Sequence, residues 1–215
     1  MQVLVIGAGN FGATVAVEMA AKKCEVIVID TKAEKLDDIK DLVGQVIVGD
    51  ATDKDLLDKF AKDMDIVVVS LGTVVDASVL IVHHLKEMGT KRVIAKASSV
   101  DHGKILKIVG ANKVVFPEKD EAIRLVRSLV YPDVLDLIRL SDQVGVVEIA
   151  VPESFTGKAI KDLELRKKYG VQVIAVQNPL SGKSEVLPGP AYVFKPDDIM
   201  VALGVPDDLI RLEKK

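Results

Sequence analysis

Cysteine is nearly absent. The single residue of this type, Cys24, permits no disulfide within the chain and supplies too few thiolates for a structural zinc or iron–sulfur site. The three histidines, His83, His84 and His102, show no spacing with other ligands that would hold a metal. An excess of one charge is missing too. With 29 basic against 32 acidic residues the formal net charge is -3, so no overall field draws nucleic-acid phosphates and no nucleic-acid partner is expected. Long hydrophobic runs are also lacking: the longest, such as 66–69, fall far short of the roughly 20 residues that cross a bilayer. Met1 leads almost directly into the first apolar run, and the expectation is a chain without a signal peptide. Together these absences point to a reducing cytosol, with any place at a membrane supplied by a partner.

What is present is the composition of a folded protein. Hydrophobic residues make up 49% and charged residues 28% of 215 positions, enough for an ordinary domain plus a small one, or for two modest ones. Short β-branched runs at 2–6, 25–29, 45–48, 65–69, 92–95 and 113–115 alternate with helical periodicity at 11–21, 33–42, 53–61, 75–88 and 101–109. Apolar strands alternating with helices predict a parallel sheet covered on both faces, a Rossmann-like doubly wound α/β fold over 1–117.

Beyond Pro117 the register changes. Ala122, Leu125, Val126 and Leu129 recur at helical spacing until Tyr131-Pro132 interrupts them. Residues 118–141 therefore read as a crossover or linker helix whose wide apolar face needs a partner. A second subunit, making this a dimer interface, and the chain's own sheet both satisfy the pattern. From 142 to 215 a small α+β unit is expected, with strands at 144–151, 171–176 and 199–203, a helix near 160–168 and a last helical turn at 207–212.

The chemistry concentrates at the start. Gly7-Ala8-Gly9-Asn10-Phe11-Gly12 follows the first strand and opens the first helix, and Asp30, with Thr31 beside it, closes the second strand. In such a turn the first glycine allows the bend, the second lets phosphate oxygens approach the backbone, and the third lets the helix lie close to the strand. The helix N-terminus offers free N–H groups to a pyrophosphate. Asp30 is placed to accept the adenosine ribose hydroxyls and would repel a 2′-phosphate, which disfavours NADP. The bland alternative is a simple turn with Asp30 capping the next helix.

Other candidates share that sheet edge. Asp50 and Ala51 lie in Gly49-Asp50-Ala51-Thr52 at the end of the third strand, where Asp50 could meet the adenine amino group. Thr52 with Asp55 three residues on is equally a helix cap. Ser70-Leu71-Gly72 ends the fourth strand and Lys96 the fifth, at the carboxyl edge where open parallel sheets bind ligands. Lys96 either reaches a phosphate or is solvated. Glu118, just after Pro117, is either ordinary helix electrostatics or a ligand for a divalent cation such as Mg or Ca beside nucleotide phosphates. On the nucleotide site alone an NAD-dependent oxidoreductase competes. Such an enzyme needs a proton donor or acceptor and a substrate anchor, and the second unit has no histidine and looks too small to enclose a substrate.

Nearly the whole chain resembles the regulatory subunits of Trk and Ktr potassium-uptake systems, built from RCK domains (regulators of conductance of potassium). The resemblance rests on Val5-Ile6-Gly7-Ala8-Gly9-Asn10-Phe11-Gly12, Gly49-Asp50-Ala51-Thr52, Ala95-Lys96-Ala97, and Gly110-Ala111 running to Phe116-Pro117-Glu118. In the second unit it rests on Gly157-Lys158-Ala159-Ile160-Lys161-Asp162-Leu163, Tyr169-Gly170 before a strand, and Asp197-Asp198 before Ile199. It implies a non-enzymatic, cytoplasmic RCK subunit that is peripheral at the inner face of the membrane. There a ring of paired subunits, an octamer, binds ATP, ADP or NAD(H) and gates a potassium channel or transporter partner. Glu118 matches the family's cation-bridging glutamate. Some ATP-sensing relatives carry arginine where this chain has Asn10, and an uncharged amide does not replace a guanidinium at a γ-phosphate, so the resemblance does not assign ATP over ADP.

Overall fold

The computed structural model describes residues 1–72 and 74–214 and divides the chain into two compact units, 1–120 and 121–215. In the first, β1 (Gln2–Ile6), β2 (Glu25–Asp30), β3 (Gln45–Val48), β4 (Ile66–Val69), β5 (Val93–Lys96) and β6 (Lys113–Val115) form one parallel sheet in the order β3-β2-β1-β4-β5-β6. The helices between them are α1 (Asn10–Ala21), α2 (Ala33–Asp37), α3 (Lys54–Ala61), α4 (Val75–Glu87) and α5 (Val100–Val109). Strand order reverses at β1, which opens a crevice above the carboxyl ends of β1 and β4.

The alternation of a pleated strand divides the core in two. Leu4, Ile6, Val67 and Val69 point to the face covered by Leu57 of α3, Ile81 and Leu85 of α4, and Leu106 of α5. Val3, Val5, Val28 and Val68 point to the other face, against Ala16 of α1 and Leu36 of α2. Full burial of one such aliphatic side chain stabilises the fold by about 1.5–3 kcal/mol. The small buried residues of α1, Gly12 and Ala16, let that helix lie close to β1.

Helix α6 (Pro117–Val130) follows β6 and crosses the division between the units. Ile123, Leu125, Val126, Leu129 and Val130 along it are all exposed.

The second unit is an antiparallel sheet of β7 (Val134–Arg139), β8 (Gly145–Ala150), β9 (Gln172–Asn178), β10 (Lys183–Val186) and β11 (Ile199–Gly204), in the order β10-β9-β11-β8-β7. The short helices are α7 (Ile160–Leu163), α8 (Leu165–Tyr169) and α9 (Pro206–Ile210). Val147, Ile149, Phe194, Met200, Ala202 and Leu209 form its core. Asp198, 1% exposed, organises the chain leading into β11. Its carboxylate accepts the Asn178 side-chain amide at 3.0 Å, the Tyr192 hydroxyl at 2.8 Å and the Lys195 backbone N–H at 2.9 Å.

Four local features differ from the sequence expectation. Strands β7 and β10 lie where the periodicity marks none. The helix expected at 160–168 is broken at Glu164, whose left-handed backbone (φ 49°) separates α7 from α8. The helix expected at 33–42 closes at Asp37. The cap of α3 belongs to Asp53, whose side chain accepts the Asp55 N–H at 3.0 Å, and Thr52 turns back instead to bond Asp50.

Candidate functional site

The carboxyl edge of the parallel sheet is levelled by backbone hydrogen bonds. Gly7 N–H donates to the Ile29 carbonyl (2.8 Å), Gly49 N–H to that of Asp30 (3.0 Å) and Ser70 N–H to that of Ile6 (2.7 Å). The turns after β1, β2, β3 and β4 therefore begin at one height, with Gly7, Asp30, Asp50 and Ser70 at their openings.

The three glycines of the first turn are required for different reasons. Gly7 has φ 96°, a backbone that side-chain-bearing residues rarely adopt, and a Cβ there would sit 2.9 Å from the Ser70 carbonyl oxygen. A Cβ on Gly12 would lie 1.9 Å from the Gly7 carbonyl oxygen, so α1 packs on the turn only through glycine. Gly9 is different. It has an ordinary extended backbone (φ -71°, ψ 175°), and a Cβ there would meet nothing within 4 Å. The protein itself has no need of glycine at this position; the space lies open directly beside the N-terminus of α1. Gly9 also brings no side chain to cap that helix, which leaves its first-turn N–H groups to an outside acceptor.

Asp30 is 6% exposed and holds the turn in place. Its Oδ2 accepts the Ala8 N–H at 2.7 Å and its Oδ1 the Lys32 N–H at 2.9 Å, with the Lys35 ammonium 3.6 Å from Oδ2. Each carboxylate oxygen keeps further acceptor capacity for a hydroxyl. Thr31 beside it is exposed. Asn10 is exposed at the first position of α1, and Phe11 packs half-buried against the core beneath. At the next turn Ala51 is buried, while exposed Asp50 accepts both the N–H and the hydroxyl of Thr52, at 2.9 and 2.8 Å.

On the other side of the crevice Ser70 is buried, and Leu71 and Gly72 are half-buried. Lys96 reaches across from β5 and lays its side chain on Gly72: a Cβ there would come within 3.1 Å of the Lys96 nitrogen. The ammonium pairs with the Glu118 carboxylate at the start of α6. A hydrogen bond from Lys96 holds the Glu118 carboxyl below its usual value. Two residues distant in sequence and considered separately thus form one pair. To a cation Glu118 offers one carboxylate, already engaged with an ammonium. Among the described residues no group of three or more His, Cys, Asp or Glu side chains is arranged to hold a metal ion.

Sequence reasoning missed the backbone amides of Ala8 and Lys32 as partners of Asp30, since main-chain donors leave no mark in side-chain pattern. It also gave no task to His102 of α5, which is 3% exposed and bonds Ser78 of α4.

Residues 3–117 match the TrkA-N domain and residues 146–215 the TrkA-C domain. The chain is 32% identical over 213 residues to Ktr system potassium uptake protein C of Bacillus subtilis (strain 168), covering 98% of this chain and 95% of that protein. In fold it is similar to the GsuK RCK domain (TM-score 0.67, 19% identity, 99% of this chain) and to the GsuK channel bound to NAD (TM-score 0.64, 19% identity, 99% of this chain). It spans 47% and 38% of those two chains.

Proposed function

We propose, from the premise that the chain belongs to the TrkA family of potassium-uptake components, that it is a nucleotide-sensing regulatory subunit of a membrane potassium transporter. The observation that carries this reading is the open space at Gly9. Two neighbouring glycines are fixed by the packing of the protein, while the third faces open space beside the N-terminus of α1, where a ligand has room. A pyrophosphate at that point meets the N–H groups of the first turn of α1, and the adenosine ribose lies over Asp30. Phe11, Thr31, Asp50 and Ala51 border the adenosine half, and Ser70, Leu71, Gly72 and Lys96 the half beyond the phosphates.

Asn10 brings no charge to the phosphate tail, so ADP and NAD(H) suit the site at least as well as ATP. The Lys96–Glu118 pair gives binding a means of acting on the protein. A phosphate that draws Lys96 toward itself frees the Glu118 carboxylate, at the start of α6, for solvent or a divalent cation. The exposed apolar residues of α6 are covered by a second copy, and paired copies build a ring beneath the transporter. A ligand that fits one ring geometry better than another shifts the balance between them, and ion flux follows. No helix among the described residues is long and apolar enough to cross a membrane, so the membrane contact is the transporter's.

Calorimetry with ADP, ATP, NAD and NADH, light scattering for oligomeric state, and potassium flux through a reconstituted partner transporter test this reading. Saturable nucleotide binding by an oligomer, with flux altered by at least one of the ligands, is expected. A monomer that binds no adenine nucleotide, or one that turns NADH over with a small substrate, would sink it.

A further inference from the structure

His102 belongs to no part of the candidate site, yet it ties together two of the turns that build it. It is the third residue of α5 and almost wholly buried. Its Nδ1 accepts the Ser98 backbone N–H at 3.2 Å, so the hydrogen-bond network assigns the ring proton to Nε2. Nε2–H then donates to Ser78 Oγ at 2.8 Å, and the Ser78 hydroxyl donates onward to the Val75 carbonyl at 2.8 Å. One neutral ring thereby joins the turn after β5, just beyond Lys96, to the first turn of α4, just beyond Gly72.

We propose that His102 is a positioning residue for the nucleotide site: its neutral ring ties the turn beyond Lys96 to the first turn of α4, and acid weakens nucleotide binding by releasing the Ser98 backbone from the ring. This rests on the nucleotide reading given above. Protonation places a hydrogen on Nδ1, which no longer accepts the Ser98 N–H and turns instead to the Ser98 hydroxyl, 3.2 Å away, so the backbone amide loses its acceptor. Among the described residues no carboxylate pairs with the charged ring. The N-terminus of α5 disfavours a cation. Asp76 on α4 is exposed, Asp101 is exposed and pairs with Lys104 at 2.8 Å, Lys96 is held by Glu118, and the side chain packed on the next residue, Gly103, is the apolar Phe116. Burial accordingly lowers the pKa of His102 from its ordinary 6.5. The neutral-ring contacts are complete above that ordinary value and are lost as pH falls through the lower, folded one.

The test measures NAD and ADP affinity of the full chain from about pH 7.5 to about pH 5, beside the non-titrating His102→Asn variant, whose Oδ1 keeps an acceptor near Ser98 N–H. NAD carries no phosphate that titrates in this range. Affinity of the native protein is expected to fall by up to about tenfold per pH unit once His102 protonates, with a flat profile for His102→Asn. Amide exchange supplies a readout that needs no variant: the protection factor of the Ser98 N–H is expected to drop over the same range. Parallel pH profiles for the two proteins, or a Ser98 amide that stays protected at the acid end, overturn the proposal. Absence of nucleotide binding at about pH 7.5 overturns instead the reading on which it rests.

Discussion

The two units solve the problem of burying a sheet in opposite ways. The first lays helices on both faces of a parallel sheet, so nearly every residue of β1 and β4 is apolar and buried, and polar groups collect at the strand ends. The second is antiparallel, with β8 alternating between buried and half-buried positions. Its buried carboxylate Asp198 is satisfied within the protein by three donors. Burial pushes the Asp198 carboxyl up, but those hydrogen bonds, aided by the charge of Lys195, outweigh it and leave it below its usual value. Burial and that same carboxylate raise Tyr192 to about 12. In the first unit, by contrast, Asp30 uses backbone amides and retains acceptor capacity. A satisfied polar cluster marks structure; an incompletely satisfied one, beside space the protein does not need, marks a site.

Substitutions can break this contrast or sharpen it. The largest effect is expected at Gly12, where even one added carbon would collide with the Gly7 carbonyl. Gly12→Val should cost about 3 kcal/mol or more, seen as a lower denaturant midpoint, and should abolish nucleotide binding as well. Next comes Asp198→Asn, which presents an amide to donors. It should destabilise the protein by about 2–3 kcal/mol and leave nucleotide affinity unchanged. The two units also separate by pH. Support from Asp198 is present above the ordinary carboxylate value of 3.8 and is lost as pH falls through its lower folded value, whereas His102 charges in a window lying below 6.5. Residue-resolved NMR during acidification should see the His102 and Asp198 neighbourhoods loosen in separate transitions. The smallest effect on stability is expected at Gly9. Gly9→Ala should change stability by no more than about 0.5 kcal/mol while weakening ADP or NAD at least about tenfold. If Gly9→Ala binds as the native protein does, the space beside α1 is not where the phosphates lie.

What the sequence reveals follows the same division. The parallel sheet is legible because fully buried strands such as Val3-Leu4-Val5-Ile6 and Val67-Val68-Val69 admit few other readings, and the glycine turn is legible because Gly7 and Gly12 meet steric demands of the protein with Gly9 between them. The second unit hides more. Strand β10, Lys183–Val186, is exposed throughout and so carries no apolar alternation. Strand β7 contains a bulge between Val134 and Asp136 that shifts the phase of its side chains and leaves Leu135 and Ile138 exposed. The Lys96–Glu118 pair within the candidate site and the Ser98–His102–Ser78 chain beside it arise from spatial neighbourhood. The sequence supplies the members of each, and only the fold brings them together.

Asp30 carries a consequence for how such a site can change over time. The carboxylate proposed to recognise a ribose also anchors the Ala8 and Lys32 amides, so on that proposal ligand preference and turn geometry share one side chain. A lineage shifting toward a 2′-phosphorylated nucleotide gains nothing by losing the acid alone, because the phosphate-binding turn loosens in the same step. The switch requires a compensating anchor for the turn to arise first. Ligand identity at this position is therefore expected to drift more slowly than at Asn10, whose exposed side chain stands at the proposed phosphate end without supporting the turn.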